Sequence, residues 1–157
     1  MEEEYGWRAG KMKEALSILP FHSMLEGKMR KKIMVVDDEE DILTLIREIL
    51  EGEGYGVICV NNGEEAVIKA VELQPDLILL DIMMPGMDGW EVVKLLKEHE
   101  STKDIPVAFL TCKGELRDKI MALQEGACHY ITKPFTPQRL VEEVKMIFER
   151  TGGEGDK

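Results

Sequence analysis

The sequence has only three cysteines, Cys59, Cys112 and Cys128, widely spaced and without a CxxC pair. That argues against a disulfide framework or a thiolate zinc site, and all three read as reduced, mostly buried thiols acting as small hydrophobes. No apolar run is long enough to span a membrane, and Met1-Glu2-Glu3-Glu4 leads into no signal-peptide core. The expectation is a soluble cytoplasmic protein with no membrane partner. Basic residues are outnumbered, 20 Lys and Arg against 31 Asp and Glu, for a formal charge of −11, which argues against nucleic acid as a partner. Histidine is scarce too. His22, His99 and His129 each stand alone in the chain and read as unpartnered surface residues.

What is present is an ordinary globular balance, 44% hydrophobic and 32% charged over 157 residues, enough for one domain with a single core. The charge is uneven. Residues 1–32 hold seven Lys/Arg and five Asp/Glu, leaving 13 basic against 26 acidic residues for 33–157. From Lys31 onward, short β-rich apolar runs alternate five times with helix-period segments, the pattern of a parallel sheet covered on both faces.

The first run, Ile33-Met34-Val35-Val36, ends in Asp37-Asp38, and Ile42, Leu45, Ile46 and Ile49 follow at helical spacing until Gly52 and Gly54. Glu39, Glu40 and Asp41 read as that helix's acidic first turn. A second run, Val57–Val60, leads through Asn62-Gly63 into a helix opened by Glu64 and Glu65 and closed by Pro75. The third, Leu77–Leu80, is wholly apolar and delivers Asp81; a turn-rich loop from Met83 to Gly89 follows, in which Asp88 can cap the next helix. The methionines of that loop, Met83, Met84 and Met87, read as packing rather than as a metal box. The fourth run, Pro106–Leu110, ends at Thr111, before a helix with Leu116, Ile120 and Leu123 that stops at Gly126. The fifth, Cys128–Thr132, precedes Lys133-Pro134 and a last helix with Leu140, Val144, Ile147 and Phe148.

In an open parallel sheet the functional crevice lies at the carboxyl ends of the strands. Those ends carry Asp37, Asp38, Asp81 and Thr111, with Lys133 after the fifth. Three converging carboxylates repel one another, and raised pKa values or a hard divalent ion relieve them. An all-oxygen set without His or Cys selects Mg²⁺ over zinc. Thr111 and Lys133 suit an anion, and a phosphoryl group on Asp81 would share its oxygens among Mg²⁺, Lys133, Thr111 and backbone N–H groups. The pattern points to phosphoryl transfer.

With these residues in place the chain resembles the response-regulator receiver family, which includes single-domain chemotaxis regulators. The resemblance rests on Ile33–Glu39, Asp76–Gly89, Pro106–Thr111 and Gly126–Phe135, and covers most of 31–150. It implies a flavodoxin-like doubly wound (βα)5 fold, a five-stranded parallel sheet of order 2-1-3-4-5 with helices on both faces. It implies Asp81 as phosphoacceptor, Mg²⁺ held directly by Asp38 and Asp81 and through water by Asp37, and the backbone carbonyl of Met83 as a further ligand. Lys133 would pair with the phosphoryl group, and Thr111 and Tyr130 would be the switch pair. The Lys133-Pro134 bond would be cis. The fourth helix, fifth strand and fifth helix would form the output surface. Met83 and Lys113 fall where the family tunes phosphoryl lifetime, so altered autodephosphorylation is expected.

The expected organisation is an extension, 1–30, a receiver domain, 31–150, and a disordered tail, 151–157. The extension, with a short helix over Met12–Leu19 and apolar Trp7, Phe21 and Leu25, is read three ways: as a mis-assigned start before Met24 or Met29, a docking arm, or an inert tail. Because little chain follows Arg150, the expectation is a stand-alone response regulator. It would be fed by a histidine kinase or histidine phosphotransfer protein, would act on an unknown output protein, and would not be a turnover enzyme. Two alternatives compete. A phosphohydrolase forming an aspartyl phosphate needs a second Asp two residues after the nucleophile, where Met83 stands. A phosphorylation-independent interaction module would leave the acidic pocket without chemistry.

Overall fold

The computed structural model describes residues 30–112 and 129–155. Its elements are β1 (Lys32–Val36), α1 (Glu40–Gly52), β2 (Gly56–Val60), α2 (Gly63–Leu73), β3 (Leu77–Asp81), α3 (Gly89–Glu98), β4 (Val107–Cys112), β5 (His129–Lys133) and α4 (Pro137–Gly155). The five strands form one parallel sheet in the order β2-β1-β3-β4-β5. This is the flavodoxin-like order that the family resemblance implied.

The order explains the burial. Central β3 is buried at all five positions, whereas β2 and β5, at the edges, are mostly half-buried. Side chains alternate between faces along each strand. Met34, Val36, Ile78, Leu80, Val107 and Phe109 meet Ala66 and Ala70 of α2 and Val92, Val93 and Leu96 of α3. Ile33, Val35, Leu77, Leu79, Ala108, Leu110 and Ile131 meet Leu43, Ile46 and Leu50 of α1 and Leu140, Val144 and Ile147 of α4. The sheet is therefore covered on both sides.

Local signals set the helix ends. Asn62 caps α2 by accepting from Glu65 N–H at 2.8 Å. Asp88 and Glu91 form a reciprocal capping box on α3, at 3.0 and 3.1 Å. Gln74, left-handed at φ 49°, ends α2 before Pro75. Helix α4 runs to Gly155, beyond the point where the sequence places the start of a disordered tail.

Several expectations lie outside the described residues: the extension over 1–29, Lys113, the helix with Leu116, Ile120 and Leu123, and Cys128. Among the described residues no helix is long and apolar enough to cross a membrane.

Candidate functional site

The strand order brings the carboxyl ends of β1 and β3 side by side, with β4 and β5 next in line. Asp37 and Asp38 leave β1, Asp81 ends β3, Thr111 lies near the end of β4, and Lys133 ends β5. Asp37 is fully buried, Asp81 and Thr111 are nearly so, and Asp38 is exposed. One carboxylate oxygen from each of Asp37, Asp38 and Asp81 falls within 4.8 Å of the others.

Asp37 is the fixed member. Its N–H donates to the Val60 carbonyl at 3.1 Å, its Oδ1 accepts from Glu39 N–H at 2.9 Å, and its Oδ2 accepts from Lys133 Nζ at 3.0 Å. Asp37 is not the cap of α1, since Glu39 holds the N-cap position. Lys133 Nζ also lies 3.5 Å from Asp81 Oδ1, so one ammonium spans two carboxylates.

The electrostatics follow from this crowding. Burial, then the charge of Asp37, pushes the Asp81 carboxyl up to about 6; Lys133 and the Met83 N–H oppose the rise, and Asp38 adds to it. Burial by itself would lower the pKa of Lys133, but its hydrogen bond to Asp37 and the charges of Asp81 and Asp37 outweigh that and raise it. Three carboxylates against one ammonium leave uncompensated negative charge. An all-oxygen donor set with an excess of negative charge fits a hard divalent cation such as Mg²⁺.

Met83 places its backbone N–H on Asp81 while its side chain is 75% exposed, so it does not pack as expected; Met84 is buried and Met87 packs against the core. Tyr130 is half-buried in β5, paired in register with Phe109 and packed on the same face of the sheet. By strand alternation Thr111 shares that face, one step nearer the carboxyl end. The Lys133-Pro134 bond is cis, as the resemblance implied.

The histidine expectation is corrected in two places. His129 is not an unpartnered surface residue: Nε2 pairs with Glu143 Oε1, and Arg139 Nε donates to the other oxygen of Glu143 at 2.8 Å. Burial would raise the pKa of Glu143, but the bonds from His129 and Arg139 hold it below the usual range. The Arg139 pair, four residues apart on one helix, was legible; the β5 partner was not. Exposed His99 Nδ1 accepts from Ser101 N–H at 3.2 Å. Among the cysteines Cys59 is free and half-buried, and the side chains of the other two lie outside the described residues.

Comparison with known proteins agrees with this geometry. The model of the response regulator receiver domain matches residues 33–145. The alkaline phosphatase synthesis transcriptional regulatory protein PhoP of Bacillus subtilis (strain 168) is 48% identical over 123 residues, covering 78% of this chain and 50% of that protein. The phosphate regulon transcriptional regulatory protein PhoB of Pseudomonas aeruginosa is 47% identical over 122 residues, covering 78% and 53%. The chain thus spans about half the length of the curated relatives it matches. Among solved structures, Vibrio cholerae chemotaxis protein CheY4 has a TM-score of 0.71 at 31% identity, covering 74% of this chain and 98% of that one. The receiver domain of sensor histidine kinase PA1611 from Pseudomonas aeruginosa PAO1, solved with a magnesium ion coordinated in its active site cleft, has a TM-score of 0.68 at 30% identity, covering 77% and 96%. With its sheet order, its acidic strand ends and its lysine in place, the chain belongs to the response regulator receiver domain family.

Proposed function

We propose that this receiver domain takes a phosphoryl group onto Asp81 from a phosphohistidine, on a histidine kinase or a histidine phosphotransfer protein, in the cytoplasm. The observation that carries the reading is the cluster of Asp37, Asp38 and Asp81 with the Lys133 ammonium laid across two of its members. Asp38 and Asp81 would hold Mg²⁺ directly, Asp37 through water, and the Met83 carbonyl would add a backbone oxygen. The metal, when bound, offsets the charge of the incoming phosphoryl group. Support for Mg²⁺ comes from the all-oxygen donor set and from the PA1611 receiver domain, which coordinates that ion.

In the transfer the P–N bond of the donor breaks with its electron pair returning to the imidazole, and an O–P bond forms to an ionised oxygen of Asp81. No proton has to leave the acceptor, so the carboxylate form is the reactive one. Lys133 already faces Asp81 and can follow the transferred group by a small shift from Asp37. Thr111, nearly buried beside the site, and Tyr130 behind it on the same face would report the change to a protein partner. Attack by water returns the carboxylate and inorganic phosphate, so the chain is an acceptor with self-limited dephosphorylation rather than a turnover enzyme. Exposed Met83 beside Asp81 is apolar and bulky, which supports an altered phosphoryl lifetime.

The test is intact mass after incubation with acetyl phosphate and Mg²⁺. A phosphoryl adduct on the wild type, lost with EDTA and in Asp81→Ala, is expected. No adduct on the wild type would point instead to a phosphorylation-independent interaction module.

A further inference from the structure

Two buried glycines outside the carboxylate cluster hold the turn beside it. Gly63 and Gly89 are the first residues of α2 and α3, immediately after the caps Asn62 and Asp88. A Cβ on Gly89 would stand 2.7 Å from the Asp81 carbonyl oxygen, 2.8 Å from Ile82 Cα and 3.1 Å from Phe109 Cε1. The first two are backbone atoms, which cannot swing aside as the end of a flexible side chain can. The Gly89 N–H also donates to the Ile82 carbonyl at 2.9 Å, closing the turn onto itself. Gly63 grips the other end: its Cβ would stand 2.7 Å from the Met87 carbonyl oxygen, 2.9 Å from Val92 Cγ2 and 3.0 Å from Met87 Cβ. Neither glycine has a positive φ, so the need is for space and not for conformation.

We propose that Gly89 and Gly63 are positioning residues for the cation site, holding the turn between Asp81 and Asp88 by backbone contact at both ends. The inference rests on the Mg²⁺ reading above. A Cβ at Gly89 has to displace the Asp81–Ile82 backbone, and with it the Asp81 carboxylate and the Met83 backbone. Asp37 does not follow, because it is tied to Val60, Glu39 and Lys133. Mg²⁺ demands near-ideal ligand geometry, so a mismatch of a few tenths of an ångström weakens it. Changes to residues that orient metal ligands cost about 10- to 100-fold in affinity, and Gly89→Ala is expected in that range, with Gly63→Ala at the lower end.

The experiment is thermal unfolding of the full chain in EDTA and in graded Mg²⁺, for wild type, Gly63→Ala, Gly89→Ala and Gly89→Ala with Phe109→Leu. A purely structural cost lowers the melting temperature in EDTA and leaves the Mg²⁺ dependence of its rise unchanged, whereas a positioning role moves that dependence to higher concentrations. The double variant removes the Phe109 contact and keeps the two backbone ones, so its Mg²⁺ response stays weak. Wild-type Mg²⁺ dependence in Gly89→Ala, or its full return in the double variant, overturns the proposal. Should Gly89→Ala not fold in EDTA, Gly63→Ala decides, and an unchanged dissociation constant there overturns it. No Mg²⁺ response in the wild type sinks the cation reading and this inference together; a normal response in every variant sinks this inference alone.

Discussion

Lys133 faces two carboxylates at once. Its ammonium neutralises a fully buried Asp37 at 3.0 Å and reaches Asp81 at 3.5 Å, while its own side chain stays one-fifth exposed. Removing one partner of a buried ion pair leaves an uncompensated charge and costs about 3–5 kcal/mol; the partial exposure of Lys133 brings the expectation down to about 2 kcal/mol. Lys133→Met is therefore expected to lower the urea midpoint in EDTA, and saturating Mg²⁺ should recover part of the loss. An unchanged midpoint in EDTA would mean that the pair contributes nothing to folding. The pKa of Lys133 is raised, so it remains charged throughout the neutral range. Asp37 was legible in the sequence as a strand-end carboxylate. Two of its three fixed partners were not, because Val60 and Lys133 lie on other strands and meet it only after the sheet forms; the third, Glu39, is two residues along the chain.

At the scale of elements, edge strand β5 is tied to α4 by more than apolar contact. Ile131 packs toward Leu140, Val144 and Ile147, and beside them His129 and Arg139 share the buried carboxylate of Glu143. His129→Ala leaves Glu143 with Arg139 alone, and a lost hydrogen bond to a charged group is worth about 1.5–3 kcal/mol, so a loss of unfolding free energy in that range, read as a lower urea midpoint at unchanged slope, is expected. Glu143→Gln keeps the shape and removes the charge, so an equal loss is expected there, and no loss would show that shape matters and charge does not. The pKa of Glu143 is held down in the folded chain, so its contribution is present above the unfolded value and is lost as the pH falls through the folded one. The elements themselves were largely legible. Apolar runs marked all five strands, and Asn62 and Asp88 marked two helix starts, because those signals are local. What escaped was set by contact between distant segments: the β5 partner of Glu143, and the space that Gly63 and Gly89 leave for Met87 and Asp81. The Asn62-Gly63 pair did read as a helix start, but nothing local says that its glycine faces a loop more than twenty residues away.

Across the whole molecule, apolar packing fills both faces of the sheet, and the candidate site concentrates self-repelling charge at one end of it. The two halves pull stability in opposite directions. Asp81 titrates near 6 in the folded chain against an ordinary value of 3.8. Between those values the folded state keeps a proton that the unfolded chain has released. Stability from this group therefore falls as the pH rises from about 4 to about 6, and stays at the lower level above that. Asp81→Asn removes the charge and keeps the shape, so in EDTA at neutral pH it should melt several degrees above the wild type. The gap should narrow as the pH falls toward 4 and close below it, where wild-type Asp81 becomes protonated in both states. Mg²⁺ should also close it, by stabilising the wild type through binding to the folded state, with little effect on the variant. The stabilised variant should at the same time fail to take up a phosphoryl group, since the carboxylate that strains the fold is the one that reacts. Identical melting of the two proteins in EDTA across this pH range would mean that the cluster is relieved by something other than protonation or a cation, and that the strain assigned to Asp81 is not there.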